Sequence, residues 1–581
     1  MQLATIIPIH KKDSLFKPEN YRPISLLGSI FKTYEKILEK RLRALALQEE
    51  MLSPLQMGAI QQSGTTEALF QLLSTTHTNK EIKKDVYLTF LDLSKAFDRV
   101  WRSGLWAKMW SMGVKGALLR ALHSTYEQQS FQVKIGEHTS HQSDCSNGLR
   151  QGSVLSPLLF SLLFSTVVND LDKNKGIPFN KQDTSLLHTQ LFVDDTIILT
   201  NHESDIPKQI SAFNKFAAIW GTVLNIDKTC ILSTKRLKNK NNWLEKLNMT
   251  NAHKTLTRYL GIHLSLKNDT FNQHFEKAIS KARKTFFQIY SQGLKKECVS
   301  PPEALKLYKI LVLPQLTFGL EVITPSTGVI NKVNDFLAYT LKILLGIPLT
   351  ASNETAMWEA DVPDFQIQND LSKLRFHRKI LLNPLKYVDV YKPGNYLYDI
   401  NQHILSQWGL SETGKFKSIP TVSKFSWKSI LSKHTSIQRI KLMQCTNPAF
   451  LNIKPKIGTI NHLLHLRPAE RCTILMARHA IPSQHPCTHC PHKPWYQPAF
   501  HYIFECTEPT IQKHRVVLLL ECYSHLGNNA SLLSNHDLFP ILIGKPSPYL
   551  DNTDTTVLKK VANHLQLSFG KEEFNKEGFY N

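Results

Sequence analysis

Two segments of the chain decide the fold: VYLTFLDLSKAFDRVW at residues 86–101 and QLFVDDTIILT at residues 190–200. In the first, an apolar β-rich run ends at Asp92, which predicts a buried strand with a carboxylate at its end. In the second, two β-rich runs flank Asp194 and Asp195, which predicts a β-hairpin with an acidic tip. Because Asp is common in turns, this pair alone would favour an ordinary hairpin turn.

If the two predicted strands are neighbours, their three carboxylates crowd together beside an apolar core. Unpaired carboxylates are costly there, and like charges raise each other's pKa. A divalent cation removes both costs, and oxygen ligands without a nearby His or Cys favour magnesium over zinc. The sequence therefore predicts two Mg²⁺ ions, an arrangement that supports in-line phosphoryl transfer, at Asp92, Asp194 and Asp195.

The rest of the chain predicts a mixture of helices and strands, an α+β fold. Strand-like runs occur at residues 4–9, 130–145 and 257–265, and apolar or amphipathic helices are predicted at 148–169, 205–220 and 270–347. A further amphipathic helix at 29–47 has its predicted apolar face at Ile30, Tyr34, Ile37, Leu38, Leu42 and Leu45.

The chain is strongly basic, which bears on its partners. Its 581 residues include 70 Lys and Arg against 47 Asp and Glu, for a formal net charge of +23. Such a charge favours a polyanion, with nucleic acid first and an anionic membrane surface as the alternative. Hydrophobic residues make up 42%, which excludes a disordered chain. Because no run reaches the roughly 18 apolar residues of a membrane span and no signal peptide is evident, we expect an intracellular protein, without a membrane partner, in cytoplasm and nucleus.

Seven short motifs follow one another along the chain. They are NYRPISLL at 20–27, Gln56-Met57-Gly58 with Gly64-Thr65-Thr66, FLDLSKAFDRVW at 90–101, GLRQGSVLSPLLF at 148–160, FVDD at 192–195, LNIDKT at 224–229 and YLGI at 259–262. In this order, the motifs resemble those of the reverse transcriptases of non-LTR (LINE-type) retrotransposons, with the jockey and R1-related groups nearest. Phe192 and Val193 stand where that family usually has Tyr and Ala before the two aspartates.

This resemblance implies a right-hand polymerase of fingers, palm and thumb. The implied activity is RNA-directed DNA synthesis: a DNA primer or nicked target DNA supplies a 3′-hydroxyl, RNA is the template, and dNTPs are the substrates. The alternative is a non-catalytic RNA-binding remnant that keeps the fold without turnover. A template-independent or DNA-templated polymerase is a third interpretation, which the motif details favour less.

The resemblance also implies roles for residues near the carboxylates. Asp92 and Asp194 would bind both metal ions, with Asp195 as a weaker or transient ligand. Phe97 would lie under the sugar and exclude a 2′-hydroxyl, although core packing is an equally natural role for this ring. Asp98 is expected to be structural and to pair with a basic group.

A second set of roles concerns the nucleotide and the primer. Gln151 and Gly152 would line the nucleotide pocket, because Gly allows a close backbone approach, and Lys228 would lie near the pyrophosphate. Leu260 and Gly261 resemble the turn that grips the primer backbone. The candidates for binding the incoming triphosphate are Lys11 or Lys12, and Arg22; each of these cations could instead be a solvated surface charge.

The expected domains are fingers and palm at 1–268, a helical thumb at 269–350, a helical connecting region at 351–480, a zinc knuckle at 481–510 and a C-terminal helical segment at 511–581. We expect the chain to be the polymerase and C-terminal part of a longer polyprotein, without an upstream endonuclease. The thumb cations predicted to contact a nucleic-acid duplex, or else to be solvated, are Lys267, Lys277, Lys281, Arg283, Lys284, Lys295 and Lys296.

A cysteine-rich segment near the C-terminus predicts a structural zinc site. Cys487 and Cys490 form a CxxC knuckle, and His501 and Cys506 follow at spacings of ten and four intervening residues. Three thiolates and one imidazole complete a tetrahedral site that leaves no open position for catalysis. Unrelated cysteines are the alternative interpretation.

Overall fold

The computed structural model divides the chain into two units. The first comprises residues 1–269 with 383–400, and the second comprises residues 270–382 with 401–581. The structure describes residues 3–11, 14–59, 63–127, 129–179, 185–237, 240–267, 271–295, 298–347, 349–382, 391, 393, 395–408, 410, 424–446, 474, 501–506, 509–526, 534–542 and 556–569.

An antiparallel four-stranded sheet forms the centre of the first unit. Its strands are β3 (Tyr87–Leu91), β9 (Thr189–Phe192), β10 (Asp195–Thr200) and β11 (Cys230–Ser233), in the order β11-β3-β10-β9. Every residue of β3 is buried, and β9 and β10 form a hairpin. Both predictions that opened the sequence analysis are therefore confirmed, and the two strands that carry the acidic residues are neighbours.

A second sheet is built around the first strand of the chain. β1 (Leu3–His10) lies between β2 (Tyr21–Leu26), which is antiparallel to it, and β4 (Ser130–Ile135), which is parallel to it. The smaller strands pair as two-stranded ladders or extend this sheet; they are β5 (His138–Thr139), β6 (Ser143–Asp144), β7 (Ile177–Pro178), β8 (Leu186–Leu187), β12 (Thr257–Tyr259) and β13 (Ile262–Leu264).

Most helices of the first unit pack their apolar side chains into one core with the central sheet. The helix at Ser156–Ser165 is apolar on all sides and almost completely buried, as expected for a helix inside a core. The helices are α1 (Ser29–Gln48), α2 (Thr65–Glu81), α3 (Arg102–Ser111), α4 (Gly116–Ser124), α5 (Ser156–Ser165), α6 (Val167–Asp170), α7 (Ile206–Ile219) and α8 (Lys240–Lys246), with 3₁₀ turns at Pro18–Asn20 and Glu203–Asp205.

Helix α1 has the predicted bounds but only half of the predicted face: Leu38 and Leu42 are buried, and Leu45 is partly buried against the core. Ile30 is 74% exposed, and Tyr34 and Ile37 are also exposed. Glu35 is fully buried instead, beside the buried Leu38. The prediction was wrong for Ile30, Tyr34 and Ile37, because helical periodicity counts apolar residues and cannot anticipate a buried carboxylate with a distant partner.

The second unit is helical in its described residues. Its helices use ordinary end signals: Ser352 accepts a hydrogen bond from the Thr355 amide, Asp364 accepts one from the Gln366 amide, and Gly346 ends a helix with a φ of 70°. They are α9 (Asn272–Ser291), α10 (Pro301–Leu311), α11 (Leu313–Thr317), α12 (Thr327–Leu345), α13 (Asn353–Glu359) and α14 (Phe365–Leu381), followed along the chain by Tyr396–Gln407, which continues from the first unit, and by Lys424–Thr446, a π-helical turn at His501–Glu505, Pro509–Leu526, Asn535–Leu542 and Thr556–Phe569.

The α+β content confirms that part of the fold prediction. The division between the units falls at 269/270, and the second unit continues past residue 350 without a boundary. The predicted boundaries at 350, 480 and 510 therefore stay predictions. In the part of the chain that the structure describes, no helix is long and apolar enough to cross a bilayer.

Candidate active site

The β9–β10 hairpin carries two of the three predicted carboxylates at its tip. Phe192 pairs with Asp195, which leaves Val193 and Asp194 as the two turn residues. Val193 has a φ of 58°, in the left-handed region. That region is rare for β-branched residues and costs about 1–3 kcal/mol, so other parts of the fold must hold the turn in place.

The third carboxylate follows the neighbouring strand. Leu91, the last residue of β3, pairs with Thr196 of β10, so the next residue, Asp92, emerges at the same end of the sheet as Asp195. The Asp92 carbonyl accepts a hydrogen bond from the Asn225 amide at 2.7 Å. The structure thus brings all three predicted aspartates to one edge of the central sheet.

The electrostatics of this edge show crowded negative charge. Burial, and then the neighbouring charge of Asp92, raises the pKa of Asp194 above its usual value. The pKa of Asp195 rises to about 6, because its carboxylate is partly desolvated and because the charges of Asp194 and Asp92 lie close to it. The residue as a whole is nevertheless exposed. Raised carboxyl pKa values indicate anions that lack a sufficient counter-charge.

The donor set at this edge fits a hard divalent cation. It offers carboxylate oxygens alone, which Mg²⁺ prefers, and the mutual repulsion favours a bound cation. Within the described ranges, no three Asp, Glu, His or Cys side chains are gathered closely enough to ligate one ion. Because Mg²⁺ beside phosphate groups is often held by only one or two protein carboxylates, Asp92 and Asp194 could hold it without a third protein ligand.

Three predicted cations lie around the carboxylates. The Lys228 ammonium contacts the Asp92 carboxylate at 2.9 Å. Arg22 and Lys228 are close enough to lower the pKa of Asp194, and after burial they are the main causes of the lowered pKa of Lys11. The predicted alternative, Lys12, lies outside the described residues. This cluster provides the positive charge that a triphosphate needs.

The loop after β6 joins the site to the second sheet. The Gln151 side chain donates a hydrogen bond to Asp98 at 2.9 Å, and the charge of Asp98 also acts on Lys11, so Asp98 has an amide as its hydrogen-bond partner and a basic group within electrostatic reach. The Gln151 carbonyl accepts from the Ser25 amide of β2. Gly152 has a φ of 117°, and a Cβ there would lie 2.6 Å from the Ser25 carbonyl oxygen. The close approach that requires glycine is therefore to β2.

The Phe97 ring packs against the hydrophobic core of the first unit. It stacks on Phe160 of α5 with ring centroids 4.8 Å apart and an interplanar angle of 15°. The backbone carbonyl of Phe97 accepts a hydrogen bond from the Leu149 amide at 2.7 Å, which connects the segment after β3 with the loop that leads to Gln151. Core packing and a role under the sugar are compatible, because the ring is only half-buried.

The predicted primer-grip turn is a tight hairpin. Leu260 and Gly261 connect β12 to β13, and both have positive φ values of 43° and 91°. Two positive φ values are typical of a type I′ turn. The preceding Tyr259 is buried, and burial followed by the charge of Asp195 raises its pKa well above the usual value, so this turn lies within electrostatic reach of the site.

A buried ion pair that the sequence analysis missed supports the Gln151 loop. Glu35 of α1 accepts hydrogen bonds from the Ser153 hydroxyl at 2.7 Å and the Val154 amide at 3.1 Å, and it lies 3.4 Å from the Arg150 guanidinium. Arg150 also lies over the rings of Phe31 and Tyr126. The only signal in the sequence was a glutamate at a core-facing position of a helix, which becomes informative once its partner is known.

The predicted zinc ligands are only partly described. Cys487 and Cys490 lie outside the described residues. His501 and Cys506 are both buried, and the Cys506 amide donates a hydrogen bond to the His501 carbonyl at 2.8 Å. This hydrogen bond closes one helical turn between the two residues.

The predicted thumb cations lie in both units. Lys267 is exposed near the end of the first unit. In the second unit, Lys277, Lys281 and Lys284 are exposed on α9, and the Arg283 guanidinium lies 6.0 Å from the centre of the Phe336 ring. Lys295 is exposed, and Lys296 lies outside the described residues.

The chain is similar to several known proteins. Residues 9–264 match the family described as "Reverse transcriptase (RNA-dependent DNA polymerase)". The chain is 27% identical over 353 residues to the RNA-directed DNA polymerase from mobile element jockey of Drosophila melanogaster, covering 59% of this chain and 38% of that one. It is 25% identical over 370 residues to the retrovirus-related Pol polyprotein from type-1 retrotransposable element R2 of Popillia japonica, covering 60% and 48%.

Among solved structures, apo telomerase from Candida tropicalis matches with a TM-score of 0.35 and 14% identity, covering 72% of this chain and 68% of that one. This likeness is too weak to support a conclusion. The chain spans less than half the length of the two curated relatives it matches.

The carboxylate edge, the surrounding cations and the family match together define residues 9–264 as a reverse transcriptase domain. The named relatives are polymerases and Pol polyproteins of retrotransposable elements, which confirms the resemblance found in the motifs.

Proposed function

We propose that the protein extends a DNA 3′-hydroxyl on an RNA template with dNTPs, by magnesium-dependent phosphoryl transfer. The observation that carries this proposal is the meeting of Asp92 with Asp194 and Asp195 at one sheet edge, beside a cationic cluster. Negative charge for metal ions next to positive charge for phosphates is the arrangement that nucleotidyl transfer requires.

Asp92 and Asp194 would hold two Mg²⁺ ions, with Asp195 as the weaker ligand. When bound, such ions lower the pKa of the primer hydroxyl and neutralise the charge that develops on the triphosphate. Lys11 and Arg22 would bind the incoming triphosphate. The chain's own contribution is to fix these charges before the substrate arrives, which lowers the cost of reorganisation during the reaction.

Lys228, which contacts one of the carboxylates, would bind the pyrophosphate leaving group. Lys228 already contacts Asp92, and its side chain is more than half exposed, so a phosphate can approach it. We assign it to the pyrophosphate. The Gln151 amide, fixed by Asp98, would contact the base or sugar of the incoming nucleotide.

Selection of deoxynucleotides would depend on the fixed ring of Phe97. Its stack on Phe160 prevents the ring from moving aside for a 2′-hydroxyl. Leu260 and Gly261 would hold the primer backbone. The exposed lysines of α9 would provide sequence-independent, salt-sensitive contacts to the template–primer duplex.

The relatives' names support a role in retrotransposition. The 3′-hydroxyl would come from nicked target DNA, in target-primed reverse transcription. We propose cytoplasm and nucleus as the compartments, since RNA template and target DNA meet only if the protein reaches both.

A structural zinc ion would close the knuckle formed by Cys487, Cys490, His501 and Cys506. The buried, hydrogen-bonded turn between His501 and Cys506 supports this ligand set. Replacing Cys487 with Ser should lower the zinc content measured by atomic spectroscopy by one ion per chain. Cys298→Ser, at an exposed cysteine of the second unit, is the matched control and should keep it. Equal zinc in wild type and Cys487→Ser would contradict the ligand set.

The activity itself is tested with purified protein, an RNA template, a DNA primer, Mg²⁺ and dNTPs. Wild type should extend the primer, and Asp194→Asn should abolish extension while RNA binding stays unchanged. Asp85→Asn is the matched control, since Asp85 precedes the other end of β3 and pairs with Lys235. Tight RNA binding without extension by wild type would contradict the proposal and support the non-catalytic alternative.

A further inference from the structure

The segment around Gln56 adds a short strand to the edge of the central sheet. The Met57 amide donates to the Leu191 carbonyl at 2.8 Å, and the Leu191 amide donates to the Leu55 carbonyl at 2.9 Å. Gln56 and Leu191 thereby form a parallel bridge. The segment at residues 55–57, far away in sequence, thus lies beside β9, directly before the turn formed by Val193 and Asp194.

The Gln56 side chain continues this pairing into the turn. Its Oε1 accepts from the Val193 amide at 2.8 Å, and its Nε2 donates to the Val193 carbonyl at 3.1 Å. Gln56 is fully buried, and both hydrogen bonds are at least partly removed from water. The side-chain amide satisfies both polar backbone groups of the residue that precedes Asp194.

The residue held in this way has an unfavourable backbone conformation. Val193 has a φ of 58°, and a β-branched side chain disfavours that region. Gly58 makes room for it, because a Cβ at position 58 would lie 2.7 Å from the Val193 nitrogen. Two residues of the Gln56-Met57-Gly58 segment therefore determine where the turn can lie.

We infer that Gln56 is a positioning residue for catalysis: it holds Val193 in its positive-φ conformation and thereby aims the Asp194 carboxylate. This inference rests on the proposed polymerase function. Gln56 itself touches no reacting atom, and its effect passes through the backbone of the turn. Catalytic groups displaced by about 1 Å can lose on the order of 100-fold in rate, so a loosened turn should be costly.

Gln56→Ala should lower kcat by about 100-fold and leave the KM for dNTP nearly unchanged. The Mg²⁺ concentration for half-maximal activity should rise, because a positioning partner of a metal ligand typically contributes about 10–100-fold to metal affinity.

Gln209→Ala is a matched control. Gln209 is also buried and makes the same two-point contact, accepting from the Asp172 amide and donating to the Asp172 carbonyl, away from the catalytic turn. Gln209→Ala should lower the melting temperature about as much as Gln56→Ala does. It should not change the Mg²⁺ concentration needed for half-maximal activity. Equal kinetic effects in the two variants would overturn the inference.

A second substitution tests the route through Val193. Glycine adopts positive φ without penalty, so Gln56→Ala combined with Val193→Gly should recover at least about tenfold in kcat over Gln56→Ala alone. No recovery would show that Gln56 does not act through the conformation of the turn.

Two measurements do not depend on activity. Gln56→Ala should accelerate hydrogen–deuterium exchange in the peptide that contains Val193, and it should weaken binding of Mn²⁺ to the substrate-free protein about tenfold. Unchanged exchange and Mn²⁺ binding would overturn the inference. An inactive wild type would overturn the proposed function instead, and these two measurements would still decide the role of Gln56.

Discussion

Replacing Glu35 with Ala should remove about 4 kcal/mol from the free energy of unfolding of the first unit. The carboxylate is fully buried and accepts from Ser153, Val154 and Arg150, whose side chain is only 2% exposed. Its removal leaves a buried guanidinium without its counter-charge, and breaking such a pair costs about 3–5 kcal/mol. In a unit of this size, the loss corresponds to a fall in Tm of about 10 °C.

Replacing both partners should cost much less than the sum of the single replacements. In Glu35→Met with Arg150→Met no buried charge remains, and apolar side chains fill the space. The Ser153 hydroxyl and the Val154 amide still lose their acceptor, which costs about 2 kcal/mol for the two together.

The assay is equilibrium unfolding of the full chain in urea, followed by intrinsic fluorescence, with the full double-mutant cycle. Glu39→Ala is the control on the same helix: Glu39 forms a partly exposed ion pair with Arg43 and should cost less than about 1 kcal/mol. Single and double replacements that add within about 0.5 kcal/mol would refute the coupling of the two charges.

Three further predictions concern other parts of the chain. Gly152→Ala should cost at least about 2 kcal/mol, because the added Cβ meets the Ser25 carbonyl and the φ is positive; an unchanged Tm would contradict this. Burial lowers the pKa of Lys373 to about 7, so between about pH 7 and 10.5 the unfolded chain binds more protons. The stability of the second unit should therefore rise with pH across that window, and Lys373→Met should flatten the rise in a urea series at several pH values. Phe97→Val should lower the preference for dNTPs over ribonucleotides by at least about tenfold in kcat/KM, since the stacked ring is lost; an unchanged ratio would assign Phe97 to packing alone.

Local pattern was enough to predict the elements that carry the carboxylates. A buried run that ends at Asp92 and two β-rich runs around Asp194 need only period-two alternation and turn chemistry, and both are local properties. The bounds of α1 followed from periodicity in the same way. That the two acidic segments are neighbours required the ordered motifs, because pairing between distant strands is not encoded in either strand alone.

The polar contacts between distant segments could not be predicted. Glu35 was not part of the predicted apolar face of α1, and its partner Arg150 lies 115 residues further along the chain. Asp98 was expected to pair with a basic group, and its hydrogen bond from Gln151 was not anticipated. Gln56 belonged to a quoted motif, yet its contact with Val193 depends on the parallel pairing of its segment with β9. Each of these contacts arises only after the sheet and helices have assembled.

The position of β1 has a consequence for how the chain is made. β1 is an inner strand of its sheet, with β2 on one side and β4 on the other. During translation β2 follows at once, but β4 is synthesised roughly 120 residues later, which takes about 6–24 s at 5–20 residues per second. Until then, one edge of β1 has no partner strand and can pair with another chain. The β1–β2 hairpin at residues 3–26 should therefore be a binding site for a chaperone during synthesis, and co-expression with a chaperone that binds unfolded chains should raise the soluble yield of the protein.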